Sequence, residues 1–179
     1  MHNLLKKYQE IVRPKLKKEF DLQNDLQVPG LVKIVVNMGL NDAINNKGII
    51  DKVIKQLRII AGQEPSVTKS RKAISAFKLR KGMPMGLKVT LRGTRMLDFW
   101  EKLVKIVLPR QRDFKGIADK GFDSQGNLNL GFKEQTIFPD LEYDQIDKAR
   151  GLEITVVTSS TDKSQAKRLL EELGMPFKK

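Results

Sequence analysis

The 33 residues from Pro65 to Leu97 contain no acid and nine bases: Lys69, Arg71, Lys72, Lys78, Arg80, Lys81, Lys88, Arg92 and Arg95. Nothing else in the chain restricts folding as strongly, because like charges repel in a compact state and must be turned outward toward solvent or an anion. The remaining 146 residues hold 25 bases and 21 acids, so most of the net charge of +13 sits in less than a fifth of the chain. Inside the segment Leu87, Val89 and Leu91 alternate with Lys88, Thr90 and Arg92, the period of a strand with one apolar and one polar face. A short strand over Ser66 to Ser70 precedes it, and residues 71–86 read as a long basic hairpin loop joining the two.

Apolar periodicity supplies the other elements. Leu4, Tyr8, Val12, Leu16 and Phe20 recur every four residues and predict an N-terminal helix over residues 1–20, bent or interrupted at Pro14. After the Val28-Pro29-Gly30 turn, Leu31 to Met38 reads as a strand with Ile34, Val36 and Met38 on one face and Lys33, Val35 and Asn37 on the other. Ile49, Ile50, Val53, Ile54, Leu57, Ile60 and Ala61 predict a helix over Asn46 to Ala61, stopped at Gly62. Thr94 is placed to cap a third helix with the stripe Leu97, Trp100, Val104, Val107 and Leu108, ended by Pro109. A turn at Ser124 to Asn127 joins short strands, Leu152 to Thr158 is a strand, and Asp162 to Leu173 is a helix closed by Gly174. No repeat, low-complexity tract or long linker interrupts the series. The expectation is a single domain over residues 1–179, an α+β fold with a mostly antiparallel sheet, helices packed on one face and the opposite face turned to a ligand.

Composition removes several classes of function. There is no cysteine, so disulfides, thiolate metal sites and cysteine nucleophiles are absent, and the one histidine, His2, sits too near the chain end to suit a catalytic triad. No apolar run approaches the ~18 residues of a membrane helix, and neither a signal-peptide core nor an Arg- and Ser-rich transit segment is present, so a bacterial cytoplasmic location is expected. A membrane-surface role calls for a basic amphipathic helix, whereas the middle of the acid-free segment is broken by Gly82, Pro84 and Gly86.

A nucleic-acid phosphate backbone is the anion that fits best. The outward face would present Lys33, Asn37, Lys88, Thr90 and Arg92, a mixture of cations, an amide and a hydroxyl suited to phosphates, ribose hydroxyls and base edges. The loop from Ser75 to Gly86 combines Lys78, Arg80 and Lys81 with Phe77 and two glycines, the make-up of an arm that reaches a polyanion; Phe77 serves either to stack on a base or to anchor the loop. The only dense acidic cluster, Asp140, Glu142, Asp144 and Asp147, is chemically able to hold Mg²⁺ in a nucleic-acid-processing enzyme, but Lys148 and Arg150 follow at once and make a solvated turn, a cap or a protein-docking patch the simpler reading.

Longer strings narrow this further. Gly62-Gln63-Glu64-Pro65, Lys69, Arg71-Lys72, Phe77-Lys78, Arg80-Lys81-Gly82, Pro84, Gly86 and Lys88-Val89-Thr90-Leu91-Arg92-Gly93 are followed in order by Pro109-Arg110, Arg112-Asp113-Phe114, Glu134-Gln135, Ile137-Phe138-Pro139, Arg150-Gly151-Leu152 and Pro176-Phe177. Together they closely resemble the bacterial form of large-ribosomal-subunit protein five, the 5S-rRNA-binding ribosomal protein family, over essentially the whole chain. Ser66 and Met83 depart from the apolar and aromatic residues common in that family.

The resemblance implies a structural constituent of the large subunit, without enzymatic activity, cofactor, metal or small-molecule substrate. It would bind 5S rRNA and 23S rRNA in the central protuberance, contact P-site tRNA and bridge to small-subunit protein thirteen. By matching position, Asn37, Gln63 and Thr90 are implied 5S-rRNA contacts, joined by Lys33, Thr68, Lys88 and Arg92. Phe77, Lys78, Arg80 and Lys81 are implied to belong to the tRNA-facing loop.

Overall fold

The structure, a computed structural model, describes residues 2–40, 48–77, 79–112 and 114–178. Five strands, β1 (Leu31–Gly39), β2 (Ser66–Lys69), β3 (Pro84–Leu91), β4 (Leu128–Phe132) and β5 (Leu152–Thr158), form one antiparallel sheet in the order β2-β3-β1-β5-β4. Four helices accompany it, as an α+β fold requires. Helix α1 is continuous through Asn3–Lys7, a π-helical stretch Tyr8–Val12 and Arg13–Glu19; α2 is Gly48–Ala61; α3 runs through Gly93–Lys102, a π-helical stretch Leu103–Val107 and Leu108–Arg110; α4 is Lys163–Glu172. Among the described residues no helix is long and apolar enough to cross a membrane. The chain divides into two compact units, one of Met1–Ile34, Arg92–Leu130 and Thr155–Lys179, the other of Val35–Leu91 and Gly131–Ile154.

In the first unit α1 packs on α3 and α4. Val12, Leu16, Trp100, Leu103, Leu108, Leu169 and Leu170 are buried there, each worth roughly 1.5–3 kcal/mol of transfer free energy. Both helices that contain a proline meet it in the same way. Pro14 and Pro109 lack an N–H, and just ahead of each the backbone widens: Arg13 N–H donates to Tyr8 O and Leu108 N–H donates to Leu103 O, five residues back in each case. Pro109 therefore does not end α3, contrary to the sequence expectation, because it enters at the start of a fresh turn where its missing N–H and fixed φ are tolerated. Thr94 does not cap α3 either. The cap position is Arg92, and Gly93 at φ +58° makes the turn into the helix. Asp162 does cap α4, accepting from Ser164 N–H at 3.0 Å.

In the second unit α2 packs on β3, and Val53, Leu57 and Ile60 are buried, as are Val36, Met38, Leu87, Val89 and Leu91. The helix matches expectation from Gly48 onward, while Asn46 and Lys47 lie outside the described residues. Strand β3 begins earlier than the alternation suggests. Pro84 opens it, opposite Lys69, and Gly86 pairs with Thr68, so the hairpin loop spans 70–83 rather than 71–86. Proline is tolerated as the first residue of a strand, and the ladder of β2 overrides the turn-like composition of Met83-Pro84-Met85-Gly86.

The acidic stretch is fastened into this unit by buried polar residues. Gln135 donates to Lys148 O at 2.7 Å and accepts from Arg150 N–H, and Gln56 donates to Gln145 O at 2.5 Å and to Asp147 Oδ1 at 3.3 Å. Arg150, 7% exposed, makes a two-pronged ion pair with Asp147 at 2.7 and 2.8 Å. Hydrogen bonding from the Arg150 guanidinium holds the Asp147 carboxyl far below the usual carboxylate range. A carboxyl depressed in the folded state stabilises it above the unfolded pKa of about 4, and that contribution fades as pH falls through the folded value. Asp147→Asn should therefore lower stability at neutral pH, and the gap from the parent should close steadily below about pH 4. Urea unfolding across a pH series reads this, and a pH-independent gap would contradict it.

Candidate nucleic-acid interface

The alternation of β1 and β3 is built as expected. Ile34, Val36 and Met38, and likewise Leu87, Val89 and Leu91, are buried, while Asn37 and Lys88 are exposed and Lys33 and Thr90 half-buried. The register Ser66 to Lys88 and Thr68 to Gly86 sets those pairs side by side on the polar face of β2 and β3. Gly86 forms the floor between them. A Cβ there would lie 2.7 Å from Met38 O and 3.1 Å from Thr68 Oγ1, so only glycine lets the strands close at this point. The result is a flat strip in the second unit, Asn37, Ser66, Thr68, Lys88 and Thr90, with little relief to keep a ligand backbone away.

Gln63 belongs to this strip from the end of β3. Its Nε2 donates to Thr90 O at 3.1 Å, which holds the Thr90 backbone while leaving the hydroxyl for other partners. Ser66 Oγ donates to Lys88 O at 3.0 Å. By contrast, among the described residues the side chains of Asn37, Thr68 and Thr90 make no hydrogen bond within the chain. Small polar groups left unspent on an open face are what direct recognition of ribose and base edges needs. Lys33 and Arg92 fall in the first unit, Lys33 half-buried on β1 and Arg92 exposed ahead of α3.

The basic loop has more internal order than its composition suggests. Ser70 N–H donates to Met83 O at 2.8 Å and Gly82 N–H to Ser70 O at 2.9 Å, which extends the ladder beyond β2 and β3. Ile74 and Leu79 exchange backbone bonds at 3.0 and 3.1 Å around a 3₁₀ turn at Ser75–Phe77, and Arg80 N–H donates to Met83 Sδ at 3.1 Å. Arg80 and Lys81 are exposed, Phe77 lies in the 3₁₀ turn, and Lys78 is outside the described residues.

Ion pairing engages several cations outside this region. Lys15, Lys17, Arg58, Lys105, Arg150, Lys167 and Arg168 all pair with carboxylates. Among the described residues, Lys69, Arg71, Lys72, Arg80, Lys81, Lys88 and Arg92 are exposed and pair with none. The sequence pattern points to these cations, Asn37 and Thr90, and the family resemblance to Gln63 and Thr68. It missed Gly86 and Ser66 as parts of the strip, although Gly86 shares the parity of Lys88 and Thr90. Among the described residues no group of three or more Asp, Glu or His is placed to hold an ion.

Comparison with known proteins gives the family. Residues 24–80 match the family model described as Ribosomal protein L5, and residues 84–177 match the ribosomal L5P family C-terminus. Large ribosomal subunit protein uL5 of Desulfatibacillum aliphaticivorans is 52% identical over 179 residues, all of both chains. The proteins of the same name from Desulfosudis oleivorans, 54% identical over 96% of each chain, and Symbiobacterium thermophilum, 50% identical over 99% of this chain and 98% of the other, are similarly close. Two family models that together span most of the chain, and relatives matched from end to end at about half identity, place it without remainder: the chain belongs to the ribosomal protein L5 family.

Proposed function

We propose that the protein is a structural, non-catalytic component of the large ribosomal subunit that binds 5S rRNA through the strip of Asn37, Ser66, Thr68, Lys88 and Thr90, with Gln63 holding its edge and Lys33 and Arg92 adding cations. The observation that carries this is a set of exposed cations in the second unit, Lys69, Arg71, Lys72, Arg80, Lys81 and Lys88, that pair with no carboxylate among the described residues and share that unit with the unspent side chains of Asn37, Thr68 and Thr90. The same reading assigns the loop at 70–83 to P-site tRNA, neighbouring 23S rRNA to the remaining cations, and the acidic stretch from Asp140 to Asp147 to a basic partner on the small subunit, protein thirteen.

The test is a titration of the purified protein against 5S rRNA, with tRNA and a random duplex as competitors, at two salt concentrations. Selective binding that survives the higher salt is expected, with a salt slope of about 0.7 to 0.9 per neutralised phosphate. Equal affinity for all three RNAs, collapsing together with salt, would leave a general polyanion patch and refute the assignment of the strip.

The loop gives a separable result. Neutralising Lys78, Arg80 and Lys81 to glutamine should weaken engagement of P-site tRNA by reconstituted ribosomes and leave the 5S rRNA affinity within about twofold, since removing backbone contacts lowers affinity without touching the strip. Loss of 5S binding as complete as that of a strip variant would overturn this division of labour.

A further inference from the structure

A second basic locus lies in the first unit, where the C-terminal tail is laid onto the segment that follows α3. Ile117 N–H donates to Pro176 O at 2.9 Å and Lys178 N–H donates to Ile117 O at 3.0 Å, so the tail pairs as a short parallel bridge. Gly116, at φ +96°, allows the approach: a Cβ there would stand 2.7 Å from Lys178 N and 2.8 Å from Phe177 C. The rings of Phe122 and Phe177 stack at 5.7 Å, with Lys163 Nζ 6.0 Å from the first ring and Lys167 Nζ 5.7 Å from the second.

The carboxylates described at this junction are already committed. Asp119 pairs with Lys167 at 2.8 Å, and Asp162 caps α4. Asp123 accepts from the backbone N–H groups of Gln125 and Asn127 and from the Asn127 amide. Lys115, Lys120, Lys163 and Lys178 are exposed, and among the described residues none of them pairs with a carboxylate. Four exposed lysines thus stand around a backbone held by a tail bridge and an aromatic stack. Ammonium groups donate but accept nothing, which suits them to phosphates more than to reading base edges.

We propose that this tail junction, Lys115, Lys120, Lys163 and Lys178 over the Phe122–Phe177 stack, is a second RNA contact that takes phosphates of an RNA backbone without regard to sequence. It rests on the RNA-binding reading above and extends it, giving the chain two contacts of different character: a polar strip that selects and a cationic junction that grips. A point-charge ammonium suits phosphate, and Lys163 keeps its donors free while resting on an aromatic face.

The experiment measures binding of the full chain to a 20-base-pair RNA duplex of random sequence over a range of salt, beside 5S rRNA in the same buffers. Substituting Lys115, Lys163 and Lys178 by glutamine should lower the salt slope on the duplex by about 2 to 3, as expected for three lost phosphate contacts. A control with the same change in net charge, K15Q with K17Q and K105Q, removes lysines already paired to carboxylates and should lower the slope by less than about 1. Gly116→Ala changes no charge, yet it should reproduce part of the loss by lifting the tail.

Equal slopes for the two triple variants would show that only net charge matters and would overturn the proposal, as would an unchanged slope in the first. Should Gly116→Ala fail to fold, the comparison of triples still decides. The 5S arm keeps the two readings apart. Absence of preference for 5S rRNA over the duplex in the parent protein would sink the strip assignment, while the duplex slopes continue to judge the junction.

Discussion

Alanine at both Asn37 and Thr90 should weaken 5S rRNA binding by about 1 to 3 kcal/mol for each lost contact, roughly tenfold in Kd for every 1.4 kcal/mol. Among the described residues neither side chain makes a hydrogen bond, so their loss breaks no hydrogen bond of the sheet. Neither carries charge, and the slope of affinity against salt should stay that of the parent even as affinity falls. Gln63 meets the Thr90 carbonyl and not its hydroxyl, which leaves the backbone of the double variant anchored. Filter binding gives the affinity and a thermal melt gives the fold. Unchanged affinity in a folded double variant would remove the strip from the interface.

Replacing Trp100 by alanine should cost about 3 to 5 kcal/mol of stability, the usual range for deleting a large aromatic from a close-packed core. The side chain is fully buried in the first unit, and its Nε1–H donates to Leu173 O at 3.3 Å, one of the carbonyls at the end of α4. The variant loses the packing between α3 and α4 and strands that carbonyl. Trp100→Phe keeps most of the apolar contact and should fall well short of the alanine cost, which separates the ring from the hydrogen bond. Because this is the only tryptophan, urea unfolding has to be followed by circular dichroism. A loss below about 1 kcal/mol for the alanine variant would contradict the burial.

Much of this architecture could be read from apolar spacing because the strands are half-buried and each alternates cleanly. Leu87 to Leu91 and Ile34 to Met38 announced both their faces, and with them Lys88, Thr90 and Asn37. Where reading failed, a non-local partner outweighed local preference. Pro84 and Gly86 look like a turn until Lys69 and Thr68 pair with them across the hairpin. Gln56 falls on the same stripe as Val53, Leu57 and Ile60, but nothing in a single sequence says that this glutamine is 2% exposed and ties down the segment carrying Asp147. The tail junction was invisible for the same reason, since Gly116 and Lys178 meet only through the fold.

The π-helical stretches bear on how residue spacing encodes a face. An ordinary α-helix turns about 100° per residue, so a step of four overshoots a full circle by about 40°, and the stripe from Leu4 to Phe20 would drift by about 160°, almost to the opposite side of the helix. The wider winding at Tyr8–Val12 takes up that drift, which is why Leu4, Val12 and Leu16 are all buried despite their four-residue intervals. What reads as helical periodicity is thus the footprint of a phase correction placed just ahead of a proline. Ordinary winding over the same residues would swing Leu16 by up to about 100° out of the interior, whereas removing one residue together with the wide turn would leave it facing inward. The number of residues in that stretch is therefore as much a part of the fold's code as their identity.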